Sequence, residues 1–219
     1  MKIVKWCASF LRILVAKIRL GNRLKIDWGL KPVYLGRGVR LLVKRGGQMR
    51  LGVGAYIDDY SRLQVNNDAS LCIGDFVYLN TNCRVAAGES IKIGSHTMLG
   101  PNVCVYDHDH VFDENGVRGE LSCSPVYIGE RCWIAANTLV TRGVEIADKV
   151  LVGGGSVVTD SLLESGIYVG VPAILMRSNY GVGVDDAGQS EENQERNLSS
   201  QVSKSDLASS DSRMASKEA

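Results

Sequence analysis

The sequence predicts an all-β fold, a parallel β-solenoid of triangular cross-section. Three observations predict it. Aliphatic residues recur at every sixth position, at Ile128, Ile134, Val140, Ile146, Val152 and Val158. Each is followed by a small or short polar residue: Gly129, Ala135, Thr141, Ala147, Gly153 and Thr159. Turn-forming residues stand between the hits, as in Gly74-Asp75, Gly100-Pro101-Asn102 and Ala147-Asp148.

A period of six matches neither the 3.6-residue face of a helix nor the two-residue alternation of an isolated strand. It fits a coil with three flat sides, one short strand to each side. The aliphatic residue points inward and stacks on its equivalent one coil away, while its small neighbour permits a tight corner. An earlier series, Ile73, Leu79, Val85 and Ile91, slips by two residues and resumes at Ile93, Leu99 and Val105. Weaker copies stand at Leu35 and Leu41, and at Leu51, Ile57 and Leu63. The rhythm is lost from Asp107 to Pro125. That stretch reads as a loop leaving the coil surface, where solenoids often carry their binding residues.

Composition divides the chain into three. Residues 1–30 are basic and apolar and are expected to be helical. Residues 31–178 carry the repeat. Residues 179–219 are rich in Ser, Asp, Glu, Asn and Gln, so they cannot bury enough surface to offset their ordering entropy and are expected to be disordered. The net charge of +1 gives no global field for nucleic acid. The six cysteines include no CxxC pair, and with only three histidines they build no familiar zinc spacing. They sit mostly among small or apolar residues, as free thiols packed in a reducing compartment do. No cleavable signal is expected, because Lys2, Lys5, Arg12, Lys17 and Arg19 interrupt the apolar start. The reading is therefore cytoplasmic. Residues 1–20 fit either a cap over the open end of the solenoid or a helix lying on the inner face of the membrane.

These residues resemble the hexapeptide-repeat acyltransferases, in the branch of the maltose, galactoside and nodulation acetyltransferases and the polysaccharide O-acetyltransferases. The resemblance covers about residues 70–177. It is firmest over Tyr78–Cys83, Ile93–Val103 and Ile128–Ala173, where the ending VGGGSVVTDS…VGVPAILMR is similar to the family's closing signature. It implies a left-handed β-helix, a homotrimer, and active sites in clefts between subunits. The left hand comes from the resemblance alone, since parallel crossovers are nearly always right-handed.

The resemblance implies transfer of an acetyl or similar group from acetyl-CoA to a sugar-like acceptor. Such transfer needs a base to take the acceptor's proton, and imidazole suits the task because its pKa lies near working pH. Of His96, His108 and His110, the last two fall in the interrupting segment. The family pattern places His110 on the base position, with His108 the second candidate, while His96 reads as a coil residue. Asp107 or Asp109 would orient the base. Asn80 matches a family asparagine expected to contact the acceptor, and Asp107 is a second candidate acceptor contact. For coenzyme A, the resemblance points to Ala136, Gly154 and Thr159 along the C-terminal coils, with Arg177 near a phosphate. Asp160 and Ile174 stand where the family often has basic residues, which weakens the expected phosphate contacts. No metal is expected. The leading reading is an O-acetyltransferase on a sugar or polysaccharide precursor. The alternatives are an N-acyltransferase on an amino sugar and a β-helical scaffold without catalysis.

Overall fold

The computed structural model describes residues 2–178. The expected disorder of residues 179–219 lies outside the described residues. Helix α1 spans Lys2–Leu20, and a short 3-10 turn, Gly21–Arg23, leads into the first strand. The strands then wind around three parallel sheets, each strand pairing with its counterpart one coil away.

The inward aliphatic positions form three unbroken columns. On the first sheet the column runs Ile26, Leu51, Ile73, Ile93, Ile128 and Ile146. On the second it runs Leu35, Ile57, Leu79, Leu99, Ile134 and Val152. On the third it runs Leu41, Leu63, Val85, Val105, Val140 and Val158. Nearly all of these side chains are fully buried. Each contributes about 1.5–3 kcal/mol by leaving water. The columns explain why a bulky aliphatic is needed at every rung, because a smaller one leaves a cavity between its two neighbours.

The solenoid begins at Leu24, ahead of the boundary expected at 31. Leu24 and Ile26 face inward and pair with Met49 and Leu51. The slip in the repeat also has a physical source. In the early coils the strands flanking the corner between the third and first sheets are four residues long, as at Arg84–Ala87 and Ser90–Ile93. Both Ile91 and Ile93 therefore face the core.

Corners use left-handed backbone. Asn82, Asn102 and Asn137 occupy one corner on successive coils with φ of 59°, 61° and 60°. Asparagine tolerates this region better than other residues with a Cβ. Their side chains also form a ladder, with Asn82 donating to Asn102 at 2.8 Å and Asn102 to Asn137 at 3.0 Å. His96 holds another corner with φ 61° and stacks on Phe76.

Helix α1 covers the open end. Ile13, Ala16 and Leu20 bury against the first coil. An exposed sheet edge would carry unpaired carbonyls and amides, and the helix supplies partners on all three sides. Lys17 donates to the Leu24 carbonyl, Arg12 to that of Leu35 and Arg19 to that of Leu41. Ser9 Oγ accepts from the Leu35 N–H at 2.8 Å. The other helix face leaves Phe10, Leu14 and Ile18 exposed. No helix among the described residues is long and apolar enough to cross a membrane.

The segment that breaks the repeat is a β-hairpin, not an irregular loop. His108–Asp113 pairs antiparallel with Gly116–Cys123. The signal is Asn115-Gly116: Glu114 and Asn115 make the turn, and Gly116, at φ 93°, begins the returning strand in a backbone region that favours glycine.

Candidate active site

The hairpin leaves the solenoid at the corner between the third and first sheets. Asp107, its last residue inside the coil, is completely buried. Its carboxylate accepts from the backbone N–H of Gly88 and, at 2.9 Å, from that of Glu89. It also meets His108 Nδ1 at 2.9 Å. A carboxylate only accepts, so the proton of this contact sits on Nδ1, and in the neutral ring Nε2 keeps its lone pair. The side chain of His108 is 17% exposed, so part of the ring meets solvent. Gly88 is required here: a Cβ would stand 2.9 Å from Cys123 Sγ and 3.0 Å from His108 Nδ1. Arg142 Nε donates to Asp109 at 2.8 Å and ties the hairpin base to the following coil.

His108 closes one end of a groove of about 220 Å³ on the outer face of the third sheet, with Arg62, Gln64, Arg84 and Tyr106 along its sides. Arg62 donates to Gln64 at 2.7 Å. Burial raises the Tyr106 phenol above its ordinary pKa, with Arg84 and Arg62 pulling the other way. The sequence does carry a sign of this groove: Arg40, Arg62 and Arg84 recur one coil apart, in register on the third sheet. Their period is longer than the repeat first read, which hides them.

The residues expected at the site divide between two margins of the third sheet. Asp107 and His108 lie at its margin with the first sheet. Asp107 is buried behind the histidine, so it faces the ring and not an acceptor in the groove. His110 is exposed on the hairpin, paired by backbone to Leu121, and its ring makes no hydrogen bond among the described residues. Asn80 lies at the other margin, where its side chain accepts from the Thr81 N–H at 2.7 Å. Ala136 and Gly154 stack on the same margin as Asn80, with the Gly155 N–H bonded to the Ala136 carbonyl at 2.9 Å. A Cβ on Gly154 would lie 3.2 Å from that carbonyl, so this edge is bare backbone. Thr159 sits at the end of the third sheet's last strand and donates to Asp160 at 2.8 Å. Arg177 lies on the strand Ile174–Ser178, which runs antiparallel to Gly166–Val169 on the second sheet. One chain therefore does not bring the histidines together with Asn80, Ala136 and Gly154.

All six cysteines are free. Burial drives the Cys83 thiol up to about 12. No cluster of three or more metal-ligating side chains occurs among the described residues.

Comparison with known proteins defines the class. The family described as the hexapeptide repeat of succinyl-transferase matches residues 125–160. The "Putative lipopolysaccharide biosynthesis O-acetyl transferase WbbJ" of Escherichia coli is 30% identical over 142 residues, covering 60% of this chain and 69% of that protein. The "Putative colanic acid biosynthesis acetyltransferase WcaF" of the same organism is 26% identical over 167 residues, covering 73% and 90%. Among solved structures, AntD, an N-acyltransferase from Bacillus cereus, shares the fold with a TM-score of 0.64 at 20% identity, over 86% of this chain and 96% of that one. The polysialic acid O-acetyltransferase OatWY shares it with a TM-score of 0.54 at 20% identity, over 78% and 95%. The fold is the left-handed parallel β-helix, and this chain belongs to the hexapeptide-repeat acetyltransferases.

Proposed function

We propose that the protein transfers an acetyl group from acetyl-CoA to a hydroxyl of a sugar or polysaccharide precursor, with His108 as the general base. The observation that carries the proposal is the pair formed by buried Asp107 and His108 at the end of the third-sheet groove. Asp107 fixes the ring and its tautomer, and the held imidazole presents Nε2 as the proton acceptor. Nε2 takes the proton as the acceptor oxygen attacks the thioester carbonyl. The tetrahedral adduct then collapses, the C–S bond breaks, and the imidazolium returns the proton to the departing sulfur. His110, two residues on along the extended strand, is the second candidate and would act at the outer lip of the site. The names of the polysaccharide-acetylating relatives support the acceptor class.

The donor reading uses the other margin of the sheet. The bare backbone at Ala136 and Gly154 would admit a pantetheine arm, with Thr159 and Arg177 as further contacts and Asn80 toward the acceptor. Because this margin and His108 are apart in one chain, the site needs a second copy, and a closed threefold assembly supplies it. The apolar outer face of α1, flanked by Lys5, would rest on anionic lipid. Sedimentation with phosphatidylglycerol vesicles tests that contact, and recovery of all the protein in the supernatant would exclude it.

The deciding test is acetyl transfer from acetyl-CoA across a panel of hydroxyl and amino sugars. Transfer to hydroxyls that is lost in His108→Ala supports the proposal. Transfer to amines only would make the enzyme an N-acyltransferase, and no transfer at all would leave a scaffold.

A further inference from the structure

The outer face of the third sheet carries a column of three arginines. Arg40, Arg62 and Arg84 occupy the same position on successive coils. Neighbouring strands lie about 4.8 Å apart, so three arginine side chains leave the sheet from adjacent rungs. Like charges directly opposite one another on a sheet are destabilising. The fold does not call for them, because this column continues through Cys104 and Leu139, which face outward equally well. Nor does the chain neutralise them. Among the described residues none of the three forms an ion pair, and Arg62 is met only by the neutral side chain of Gln64.

The column belongs to a longer track. The groove that ends at His108 shares Arg62 and Gln64 with a second cavity, of about 520 Å³, that runs on to Arg19, Arg23 and Lys44 under helix α1. No acidic side chain lines either one. A neutral sugar would use the histidine and leave this charge unanswered. Guanidinium forks match phosphate oxygens bidentately, and adjacent rungs can engage adjacent phosphates.

We infer that the acceptor is a diphosphate-linked sugar, its diphosphate held by Arg62 and Arg84 while its sugar hydroxyl meets His108. This rests on the reading of His108 as the base of an acetyltransferase, but the anion site can be tested without turnover. Lys44, farther along the second cavity, would meet whatever the diphosphate carries on its far side, a nucleoside or a lipid, while Arg19 and Arg23 there already donate to the Leu41 and Val43 carbonyls.

The first experiment is calorimetric titration of the whole protein with inorganic pyrophosphate, with coenzyme A saturating so that its own phosphate sites are filled. Wild type should bind, and Arg62→Gln/Arg84→Gln should lose affinity by about tenfold or more, since each charge-assisted contact is among the stronger hydrogen bonds. Arg84→Lys, which keeps the charge but not the fork, should fall between the two. Circular dichroism and thermal melting of each variant separate loss of the site from loss of the fold. No binding by wild type, or equal binding by the double glutamine variant, overturns the inference. The second experiment compares acetyl transfer to a nucleoside diphosphate-sugar, to a polyprenyl diphosphate-sugar in vesicles, and to the free glycoside. Preference for either diphosphate acceptor, abolished in the double variant, supports the inference and identifies the source. Equal use of the free glycoside overturns it. Pyrophosphate binding without transfer to any acceptor would instead overturn the acetyltransferase reading.

Discussion

Replacing Asp107 with asparagine changes one atom at the point where the fold meets the proposed chemistry. The side chain is fully buried, and its two oxygens accept from Gly88, Glu89 and His108. An asparagine can present its oxygen to only one side. If the new NH2 faces the Glu89 N–H, two donors oppose one another in a dry site, and one buried donor goes unsatisfied at a cost of about 1–3 kcal/mol. If it faces His108, the ring must accept through Nδ1, which places the proton on Nε2 and removes the base. In the first arrangement a neutral oxygen replaces the carboxylate that would stabilise the imidazolium, and in the second the base is lost and the NH2 also opposes the Gly88 N–H, so turnover falls in both. The expected loss in kcat is on the order of a hundred- to ten-thousand-fold, the usual contribution of general base catalysis, with acetyl-CoA affinity kept. The assay is chromatographic measurement of released coenzyme A, because the exposed Cys7 thiol would react with colorimetric thiol reagents. A variant that keeps its fold and turns over within twofold of wild type would refute the orienting role.

Other perturbations follow from the same geometry. Ser9→Ala removes the acceptor for the buried Leu35 N–H and should cost about 1–3 kcal/mol, read as a lower denaturant midpoint. Asn102→Ala breaks two rungs of the corner ladder and puts alanine at φ 61°, so it should cost about 1–3 kcal/mol, while Asn102→Gly should lose less because glycine adopts that backbone freely. Burial holds Cys83 protonated to about pH 12, so iodoacetamide at pH 8 should label Cys7 and leave Cys83 unmodified by mass spectrometry. Sedimentation should give a trimer, and a stable monomer at micromolar concentration would remove the shared-site proposal.

The solenoid was legible because its period is written in side chains that must be large and apolar at each rung. Ile128 to Val158 show it plainly, since the late coils have no extra residues at their corners. The early coils blurred it, because the longer strands let two residues per side, such as Ile91 and Ile93, face the core. The hairpin was missed because its strands lack a buried face and so lack alternation. His108 to Asp113 puts Phe112 on one side and Val111 on the other and buries neither, and only Asn115-Gly116 marks the turn. The histidines are visible in the sequence by their chemistry, and the family pattern favours His110; the proposal turns to His108 because Asp107 turns inward at the coil corner and meets its ring, a contact that only the folded chain displays. The arginine column escaped for a similar reason, since its members are neighbours only once the coil closes.

The central claim is that acetyl transfer runs through His108. The direct measurement is kcat and acetyl-CoA affinity for His108→Ala and His110→Ala side by side, with the best acceptor of the sugar panel. The geometry predicts that His108→Ala loses about a hundredfold or more in kcat with its fold and acetyl-CoA binding intact, while His110→Ala loses much less. An active His108→Ala with an inactive His110→Ala would move the base two residues along the hairpin. Full activity in both would contradict histidine catalysis in this protein.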